Sequence, residues 1–412
     1  MHDRPPRIRR RLPRPSEFAP LLQRRERAAT RDERRVQGAA DIADLRAIAK
    51  RRRPRAVFDY VDGGAESEVA MRRARDSFDR IEFRPFVLRD VTTVSTDTTV
   101  LGMPSAMPLV FGPTGYTRMM HTRGETAVAR VAARAGIPYA LSTVGTTSPE
   151  DLATASGNGR RWFQLYVQRN RDRSLALIER AVASGFDTLV LTVDVPVTGG
   201  RLRDVRNGLT IPPSLTWRTF VDGARHPSWL FDFLTTEPLV FASGGHDSGM
   251  SLEEIADAMF DAGVTWDDLR WFRDVWPGQL VVKGVQRIDD AERMPDMGVD
   301  GIVISNHGGR QLDRAPTPLE LLAPMVQVVG GRMEVMIDTG IRSGADVVAA
   351  VALGASAALV GRAYLYGLMA GGEAGVQRVV DIFRSDIERT LQLLGVTSIA
   401  DLEPSMMRLI DR

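Results

Sequence analysis

A chain of 412 residues is long enough for one large α/β domain or two smaller ones, and its hydrophobic content of 43% is ordinary for a soluble globular protein. The absence of cysteine excludes disulfides, thiolate nucleophiles and cysteine-ligated metals. No apolar run approaches the roughly 18 residues that span a bilayer, and the N-terminus lacks the apolar segment of a signal peptide, so we expect a cytoplasmic protein.

The net charge of +2 conceals a basic N-terminal region. Residues 1–55 contain 18 Arg or Lys and 7 Asp or Glu, a balance of +11, which leaves 36 basic and 45 acidic residues, or −9, for the rest. Residues 1–37 are therefore predicted to form a partly flexible basic arm. Such an arm could contact anionic lipid or the acidic body of a neighbouring subunit. No aromatic residues alternate with these arginines, so nucleic acid is not an expected partner.

The remaining residues, 38–412, are predicted to form one domain that begins with a cap segment. DIADLRAIAKRR, residues 41–52, predicts a helix, and FDYVDGGAESE follows it. From about residue 109 to residue 395, apolar strands alternate with amphipathic helical stretches. Strands separated by helices indicate parallel pairing with right-handed crossovers, and eight such units favour an α/β fold of the (β/α)8 TIM-barrel type. The predicted strands are 109–112, 139–143, 162–167, 188–194, 280–285, 301–305, 334–338 and 357–361.

Two further features refine this prediction. No GxGxxG motif follows the first strand, which disfavours a dinucleotide-binding sheet. The connection after the fourth strand, about residues 196–265, is far longer than an ordinary link and is rich in Pro, Gly, Trp and Phe. A connection of that length is predicted to be a lid or an insertion.

Hydrogen-bonding side chains occur at nearly every strand end, where barrels of this type carry their chemistry. In ISNHGGRQLD, residues 304–313, an apolar strand leads into a histidine that can transfer a proton near neutral pH and into glycines that permit a close approach to a ligand. Lys50 and Lys283 are the only lysines, so the lysine within LVVKGV indicates a need for an ammonium group. DTGIRSG and LVGRA, after the last two strands, are placed where such barrels bind phosphate. No cluster of carboxylates and histidines predicts a metal site.

Six motifs together resemble the FMN-dependent L-2-hydroxy acid dehydrogenases and oxidases. The motifs are SNHGGRQLD, WFQLYV, LTVDVP, VKGV, DTGIRSGADV and GRAYLYG, and the resemblance covers roughly residues 38–410. YVDGGAESE, GARHPSW and GRAYLYGLMAGGEAGV resemble the bacterial respiratory L-lactate dehydrogenases in particular. The resemblance implies FMN as the cofactor and the oxidation of an L-2-hydroxy acid, with L-lactate the expected substrate.

The resemblance also assigns catalytic and substrate-binding roles. His307 would be the base that removes a proton from the substrate, either from the α-carbon or from the hydroxyl group, and Asp194 would orient and stabilise its ring. Arg310 and Arg201 would bind the substrate carboxylate. Tyr60 and Tyr166 would add hydrogen bonds to the substrate.

Cofactor contacts are assigned in the same way. Lys283 would lie near the flavin N1 and C2 carbonyl, where its ammonium group would stabilise the reduced flavin. Asp338 would bind the ribityl chain. The whole expected FMN site consists of Pro113, Thr114, Gly115, Ser142, Gln164, Thr192, Lys283, Ser305, Asp338, Gly340, Arg342, Gly361 and Arg362.

Acceptor, assembly and location are expectations from the same resemblance. Electrons are expected to pass to a quinone or another respiratory acceptor, and the chain is expected to form a homotetramer or an octamer. One expectation is peripheral contact with the cytoplasmic face of the inner membrane, through the basic arm and through aromatic and apolar side chains of the long connection. The alternative is that these side chains pack on the barrel and that the arm only assists assembly. Those side chains are Trp217, Phe220, Trp229, Leu230, Phe231 and Phe233.

Several alternatives stay open at this point. Small groups at Gly115 and Val144 permit lactate without excluding a larger acid. An oxidase of the glycolate or mandelate type that makes H2O2, a lactate monooxygenase and a type 2 isopentenyl diphosphate isomerase are flavin-barrel alternatives. Lys283 could instead form the Schiff base of an aldolase. An adaptor that uses the basic arm and carries a vestigial barrel is disfavoured because the residues expected to carry the chemistry are all retained.

Overall fold

A computed structural model of the chain describes residues 11–12, 14–18, 29–209, 217–239, 241 and 260–410. Within the described part, short helices and strands precede the barrel. These are α1 (Pro15–Phe18), α2 (Arg31–Val36), α3 (Ile42–Arg52), α4 (Arg55–Asp62), α5 (Val69–Asp79), β1 (Ile81–Phe83), β2 (Thr98–Val100) and β3 (Met103–Ser105). Helix α3 is the helix predicted over residues 41–52, and the side chain of Asp41 caps its N-terminus by accepting from Asp44 N.

Eight parallel strands form a closed barrel, and neighbouring strands follow the order of the sequence. The prediction of a (β/α)8 barrel is therefore confirmed, and every predicted strand is present within two residues of its expected bounds. The strands are β4 (Leu109–Phe111), β5 (Tyr139–Ser142), β6 (Arg161–Tyr166), β7 (Thr188–Thr192), β8 (Gln279–Val285), β9 (Gly301–Ile304), β10 (Glu334–Ile337) and β11 (Ala357–Val360).

Helices follow the barrel strands, and a final strand, β12 (Met407–Leu409), pairs with β1. One major helix follows each barrel strand, as right-handed parallel crossovers require. In the described residues, the α-helices after β3 are α6 (Thr117–Met120), α7 (Gly124–Ala135), α8 (Pro149–Ser156), α9 (Arg171–Ala183), α10 (Leu202–Asn207), α11 (Trp217–Ala224), α12 (Pro227–Thr235), α13 (Trp266–Val275), α14 (Ile288–Arg293), α15 (Pro318–Val329), α16 (Gly344–Ala352) and α17 (Arg362–Leu394).

Apolar side chains fill the barrel and also the layer between the barrel and its helices. The inward side chains form one cluster, and each barrel strand contributes at least one of them. Val100 and Leu101 of the β2–β3 hairpin join this cluster and close the end of the barrel at which the strands begin. The opposite end, where the strands finish, is left for polar groups. The inward residues of the strands are Val110, Ala140, Trp162, Val190, Val281, Val303, Met336, Ala357 and Leu359.

Part of the predicted arm, residues 1–37, packs against the domain. A capping box between Thr30 and Glu33 begins helix α2. Val36 is buried, and a Cβ added at Gly371 of α17 would lie 2.7 Å from Val36 Cγ1. Residues 1–10, 13 and 19–28, which carry much of the arm's charge, lie outside the described residues. The division of the chain at residue 37 stays a prediction.

Three helices, α10 to α12, occupy the described part of the predicted insertion, residues 196–265. Residues 210–216, 240 and 242–259 lie outside that part. The expectation that Trp229 reaches a membrane interface is wrong, because this side chain is only 9% exposed. Its indole Nε1 donates to Met119 O at 2.9 Å, so Trp229 anchors α12 to the domain.

The other predicted aromatic and apolar side chains of the insertion differ in exposure. Leu230 and Phe233 are partly buried against the main core. Phe231 is 67% exposed and Phe220 is 43% exposed. The side chain of Trp217 lies outside the described part. None of the helices in the described ranges is both long enough and apolar enough to cross a bilayer.

Candidate active site

A ring of polar groups lies at the end of the barrel where the strands finish. Alternate residues of a β-strand point to the same face, so the residue two positions after each inward apolar side chain also points inward. Applied to the inward layer from Val110 to Leu359, this spacing places one residue of each strand at the rim. Those residues are Gly112, Ser142, Gln164, Thr192, Lys283, Ser305, Asp338 and Gly361.

A cavity of about 700 Å³ lies over this rim. Four of the predicted site residues are directly behind its wall and are linked to it by hydrogen bonds: Gln164, Thr192, Asp194 and Ser305. The structure thus brings all the predicted site residues together. Those that line the cavity are Tyr60, Pro113, Thr114, Gly115, Ser142, Tyr166, Arg201, Lys283, His307, Arg310, Asp338, Gly340, Arg342, Gly361 and Arg362.

His307 lies between a carboxylate and a phenol. Its Nδ1 is 2.9 Å from Asp194 Oδ1, and its Nε2 is 3.3 Å from the Tyr166 hydroxyl. Burial opposes the ionisation of Asp194, but the charges of His307 and Lys283 outweigh it and lower the pKa of this carboxyl. Burial raises the pKa of Tyr166, and the negative charge of Asp194 raises it further, so Tyr166 stays a neutral phenol. A proton held on Nδ1 by Asp194 leaves Nε2 free to accept another from a ligand in the cavity.

The backbone around His307 adopts an unusual conformation. His307 has a φ of 57°, in the left-handed region that residues other than glycine rarely occupy. Ser305 Oγ accepts from His307 N at 3.0 Å, and Thr339 Oγ1 accepts from Gly308 N at 3.0 Å. Gly308 has a φ of 67°, and a Cβ there would lie 2.6 Å from Arg362 Nη1, so a side chain at this position would be strained. Such a conformation persists at functional sites where the surroundings hold it in place.

Lys283 is a buried ammonium group at the base of the cavity. Its Nζ donates to Ser305 Oγ at 2.9 Å and lies 3.2 Å from Asp338 Oδ2. Burial disfavours its charge, but Asp338 and Asp194 outweigh burial and raise the pKa of Lys283. An amine that stays protonated is a poor nucleophile, so this environment disfavours the Schiff-base alternative.

Two arginines flank the ring of Tyr60. The guanidinium carbons of Arg310 and Arg201 lie 5.0 and 5.3 Å from the ring centroid. Arg310 Nη1 also donates to Tyr60 O at 2.5 Å and to Gly63 O at 3.2 Å, near the end of α4. Burial, together with the charge of Arg201, lowers the pKa of Arg310 to about 10, which still leaves it cationic at neutral pH. Two partly buried cations beside His307 form a site suited to a carboxylate.

One wall of the cavity carries a chain of side-chain hydrogen bonds across three strands. Ser142 Oγ donates to Gln164 Oε1 at 2.8 Å, and Gln164 Nε2 donates to Thr192 Oγ1 at 3.0 Å. Ser142 and Lys283 line the cavity, and Gln164 and Thr192 lie behind them, so this edge has donors and acceptors that suit the amide edge of an isoalloxazine ring.

The opposite part of the cavity has the properties of an anion site. Helix α17 begins after Gly361 without a side-chain cap, so its first N–H groups are available to an anion. Arg362 donates three hydrogen bonds to the carbonyls of Val61, Gly63 and Gly308, which leaves two of its five N–H groups. Arg342 lines the same region. The donor set therefore fits FMN, with the flavin edge at Gln164 and the phosphate at α17.

Apolar residues that the motifs did not reveal line the remaining wall of the cavity. Tyr116 packs edge-on against Phe241 with centroids 4.7 Å apart, and Phe260 packs against Tyr166 at 5.0 Å. A Cβ at Gly115 would overlap Val144 Cγ2, so a side chain at this position would require Val144 to shift. The spacing of these residues in the sequence carries no periodic signal, because they lie on separate loops and on the insertion.

The last residues of ISNHGGRQLD connect the site to the surrounding segments. Gln311 Oε1 accepts from Gly199 N at 3.0 Å, and Gln311 Nε2 donates to Val197 O at 2.8 Å. Asp313 accepts from Ala70 N at 2.8 Å, near the start of α5. The polar stretch therefore supplies the histidine and arginine and also joins the barrel to the cap and to the insertion.

Comparisons with known proteins agree with this geometry. The family described as FMN-dependent dehydrogenase matches residues 49–409. A Mycobacterium tuberculosis protein named "Putative L-lactate dehydrogenase" is 57% identical over 397 residues, covering 96% of each chain. (S)-mandelate dehydrogenase of Pseudomonas putida is 43% identical, covering 90% of this chain and 94% of its own.

The fold is also similar to solved structures. A crystal structure described as monotopic membrane protein (S)-mandelate dehydrogenase matches with a TM-score of 0.87 and 42% identity. The match covers 91% of this chain and all of that one.

Proposed function

Because this chain belongs to the FMN-dependent dehydrogenase family, we propose that it oxidises L-lactate to pyruvate and passes the electrons to a membrane quinone. The family requires FMN as its cofactor. The observation that carries the proposal is the placement of His307 Nε2 beside two arginines, with Nδ1 fixed by Asp194. A base next to a carboxylate site is the arrangement needed to act on a 2-hydroxy acid.

Each site residue has its own role in the proposed reaction. Arg310 and Arg201 bind the carboxylate and thereby fix the position of the substrate's α-carbon. His307 Nε2 accepts the proton that the substrate loses, and Asp194 stabilises the resulting imidazolium. Tyr166 donates a hydrogen bond towards Nε2 or towards the substrate oxygen. Bound FMN supplies a two-electron acceptor.

L-lactate is proposed because the relative that is 57% identical carries that name. The test is anaerobic bleaching of the purified yellow protein by L-lactate, compared with D-lactate, glycolate and (S)-mandelate. L-lactate should bleach the flavin with the highest ratio of limiting rate to Kd. A clear preference for (S)-mandelate would contradict the proposed substrate, and bleaching by D-lactate alone would contradict the proposed handedness.

A quinone at the membrane surface is proposed as the electron acceptor. Support comes from the monotopic relative, from the exposed Phe231 and Phe220 of the insertion, and from the basic N-terminal residues. Basic residues near an anionic surface contribute about 1 kcal/mol each, and this contribution is sensitive to salt. The proposed location is therefore the cytoplasmic face of the inner membrane.

Vesicle sedimentation at low and high salt tests attachment, with quinone-analogue reduction and peroxide yield measured on the same preparation. We expect binding to anionic vesicles at low salt, rapid reduction of the quinone analogue and little peroxide. Stoichiometric peroxide with no vesicle binding would instead indicate a soluble oxidase. In that case the chain would act like an oxidase. Mandelate oxidase is a structural relative that is 36% identical to this chain, with TM-scores up to 0.77.

A homotetramer is proposed as the assembly, with an octamer as the alternative. Light scattering should give the mass of four chains of 45.4 kDa. A stable and active monomer would contradict this assembly.

A further inference from the structure

Asp62, at the end of α4, is a buried carboxylate shared by three side chains. It accepts two hydrogen bonds from Arg46, at 2.5 and 2.8 Å, and one from Arg203 Nη1 at 3.0 Å. The Tyr366 hydroxyl donates to it at 2.8 Å. Its side chain is 5% exposed. Burial opposes its ionisation, but the bonds from Arg46 and Tyr366 outweigh burial and lower the pKa of Asp62 to about 2.

Arg203 connects this carboxylate to the segment that carries Arg201. Besides Asp62, Arg203 contacts Glu68 Oε2 through Nη2 at 2.6 Å. Asn207, at the end of α10, donates to Asp59 Oδ2 at 2.8 Å. Helix α10 is therefore attached to α4 and to the turn after it by charged and polar contacts.

Apolar burial contributes little to holding α10 in place. Its apolar side chains Leu202 and Val205 are 38% and 74% exposed, and Asp204 is its only buried residue. Arg201, just before the helix, has one ion pair within its own segment, a 3.5 Å contact with Asp204. The position of Arg201 over the Tyr60 ring therefore depends on the polar contacts of its segment. Besides the docking of α10 onto α4, Gly200 O accepts from Glu66 N at 2.7 Å, and Gln311 bonds to Val197 and Gly199.

The same end of α4 also holds the other half of the carboxylate site. The carbonyls of Tyr60 and Gly63 accept from Arg310. We propose that Asp62 and Arg203 are positioning residues, which dock α10 onto α4. This docking holds Arg201 near Arg310, so that the two arginines can bind the substrate carboxylate together. This inference rests on the proposed function, in which those two arginines bind that carboxylate.

The test compares Arg203→Met with Arg46→Met, since each variant removes one guanidinium partner of Asp62 and only Arg203 lies on the segment that carries Arg201. Arg203→Met should raise KM for L-lactate roughly tenfold while the limiting rate of flavin reduction changes by less than about threefold. Arg46→Met should leave both parameters within about twofold. Arg203→Lys, which can keep one carboxylate contact, should give an intermediate KM.

A double variant separates positioning from a general loss of stability. If Arg203 acts through Arg201, the KM of Arg201→Met/Arg203→Met should lie within about twofold of that of Arg201→Met alone. Additive effects, or an Arg46→Met variant with the same rise in KM, would overturn the inference. If Arg203→Met is not recovered with bound flavin, Arg203→Lys decides: a raised KM with a retained rate supports positioning, and an unchanged KM overturns it.

Arg201→Met on its own distinguishes this inference from the proposed function. An unchanged KM in Arg201→Met would remove Arg201 from the carboxylate site and would contradict the proposed function itself. A raised KM in Arg201→Met together with wild-type behaviour in Arg203→Met would leave the carboxylate site intact and overturn only the positioning role.

Discussion

Replacing Asp194 with asparagine changes the charge beside His307 while keeping the shape of the side chain. The asparagine side chain can still accept a hydrogen bond from Nδ1, so the ring should keep its orientation. What is lost is the attraction between a carboxylate and the imidazolium that forms when His307 accepts a proton. With Asp194 Oδ1 and His307 Nδ1 2.9 Å apart, the centres of charge lie about 4 Å apart, which corresponds to about 4 kcal/mol at an effective dielectric constant near 20.

A loss of about 4 kcal/mol corresponds to about three powers of ten in a rate that depends on forming the imidazolium. Because the asparagine dipole retains part of the stabilisation, we expect Asp194→Asn to slow flavin reduction at saturating L-lactate about 10²–10³-fold. Anaerobic stopped-flow measurement of the flavin absorbance gives this rate and the substrate Kd separately. The Kd should change little, because Arg310 and Arg201 are untouched.

Flavin content and thermal midpoint, measured on the same Asp194→Asn preparation, control for misfolding. A variant that reduces its flavin within about threefold of the wild-type rate would refute the role of Asp194 in stabilising the imidazolium. A loss confined to Kd would refute it as well, because it would place Asp194 in substrate binding instead.

Three further predictions concern the carboxylate site, the flavin and the acid stability of the cap. Arg310→Lys should raise the Kd of L-lactate by on the order of 10²-fold, because lysine lacks the planar two-donor fork; an equal effect on the matching alcohol without a carboxylate would argue against this. Lys283→Met should lower the midpoint potential of bound FMN by tens of millivolts, whereas the exposed Lys50→Met should not, and equal potentials would remove Lys283 from this role. Asp62 has a folded-state pKa of about 2 against an ordinary 3.8, so it contributes about 2 kcal/mol above pH 4 that disappears as the pH falls towards 2. The gap in thermal midpoint between wild type and Asp62→Asn should therefore be full at pH 7 and 5 and shrink below pH 4; a gap independent of pH would exclude ionisation of Asp62 as its source.

The rim of the site was predictable from the topology of a parallel barrel together with the alternation of side chains along each strand. Parallel strands of a barrel end at one edge, and alternation along each strand brings every second residue to the same face. Ser142, Gln164, Thr192 and Lys283 each come two residues after an inward apolar residue, so the strand pattern alone brings them together. The specific roles of His307 and Arg310 needed the motif as well, because a loop conformation with a φ of 57° has no periodic signal.

The supporting contacts were not predictable from local sequence. Asp62 and Arg203 are 141 positions apart and meet only after the cap folds over the barrel. Trp229, in contrast, was predicted wrongly. An aromatic-rich insertion suggested an exposed surface, yet this tryptophan packs into the core and donates to Met119 O. Composition indicates that aromatic side chains need burial, but it does not distinguish a membrane from the chain's own barrel.

The variant His307→Gln tests most directly whether His307 is the base of a reaction that reduces FMN with a 2-hydroxy acid. His307→Gln keeps a side chain of similar size that can donate to Asp194 but cannot accept a proton near neutral pH. The measurement is anaerobic bleaching of the flavin by saturating L-lactate in the wild type and in this variant, at equal flavin content. The predicted result is a yellow, folded variant whose bleaching is slower by at least about 10²–10⁴-fold. Bleaching of His307→Gln at the wild-type rate would exclude His307 as the base.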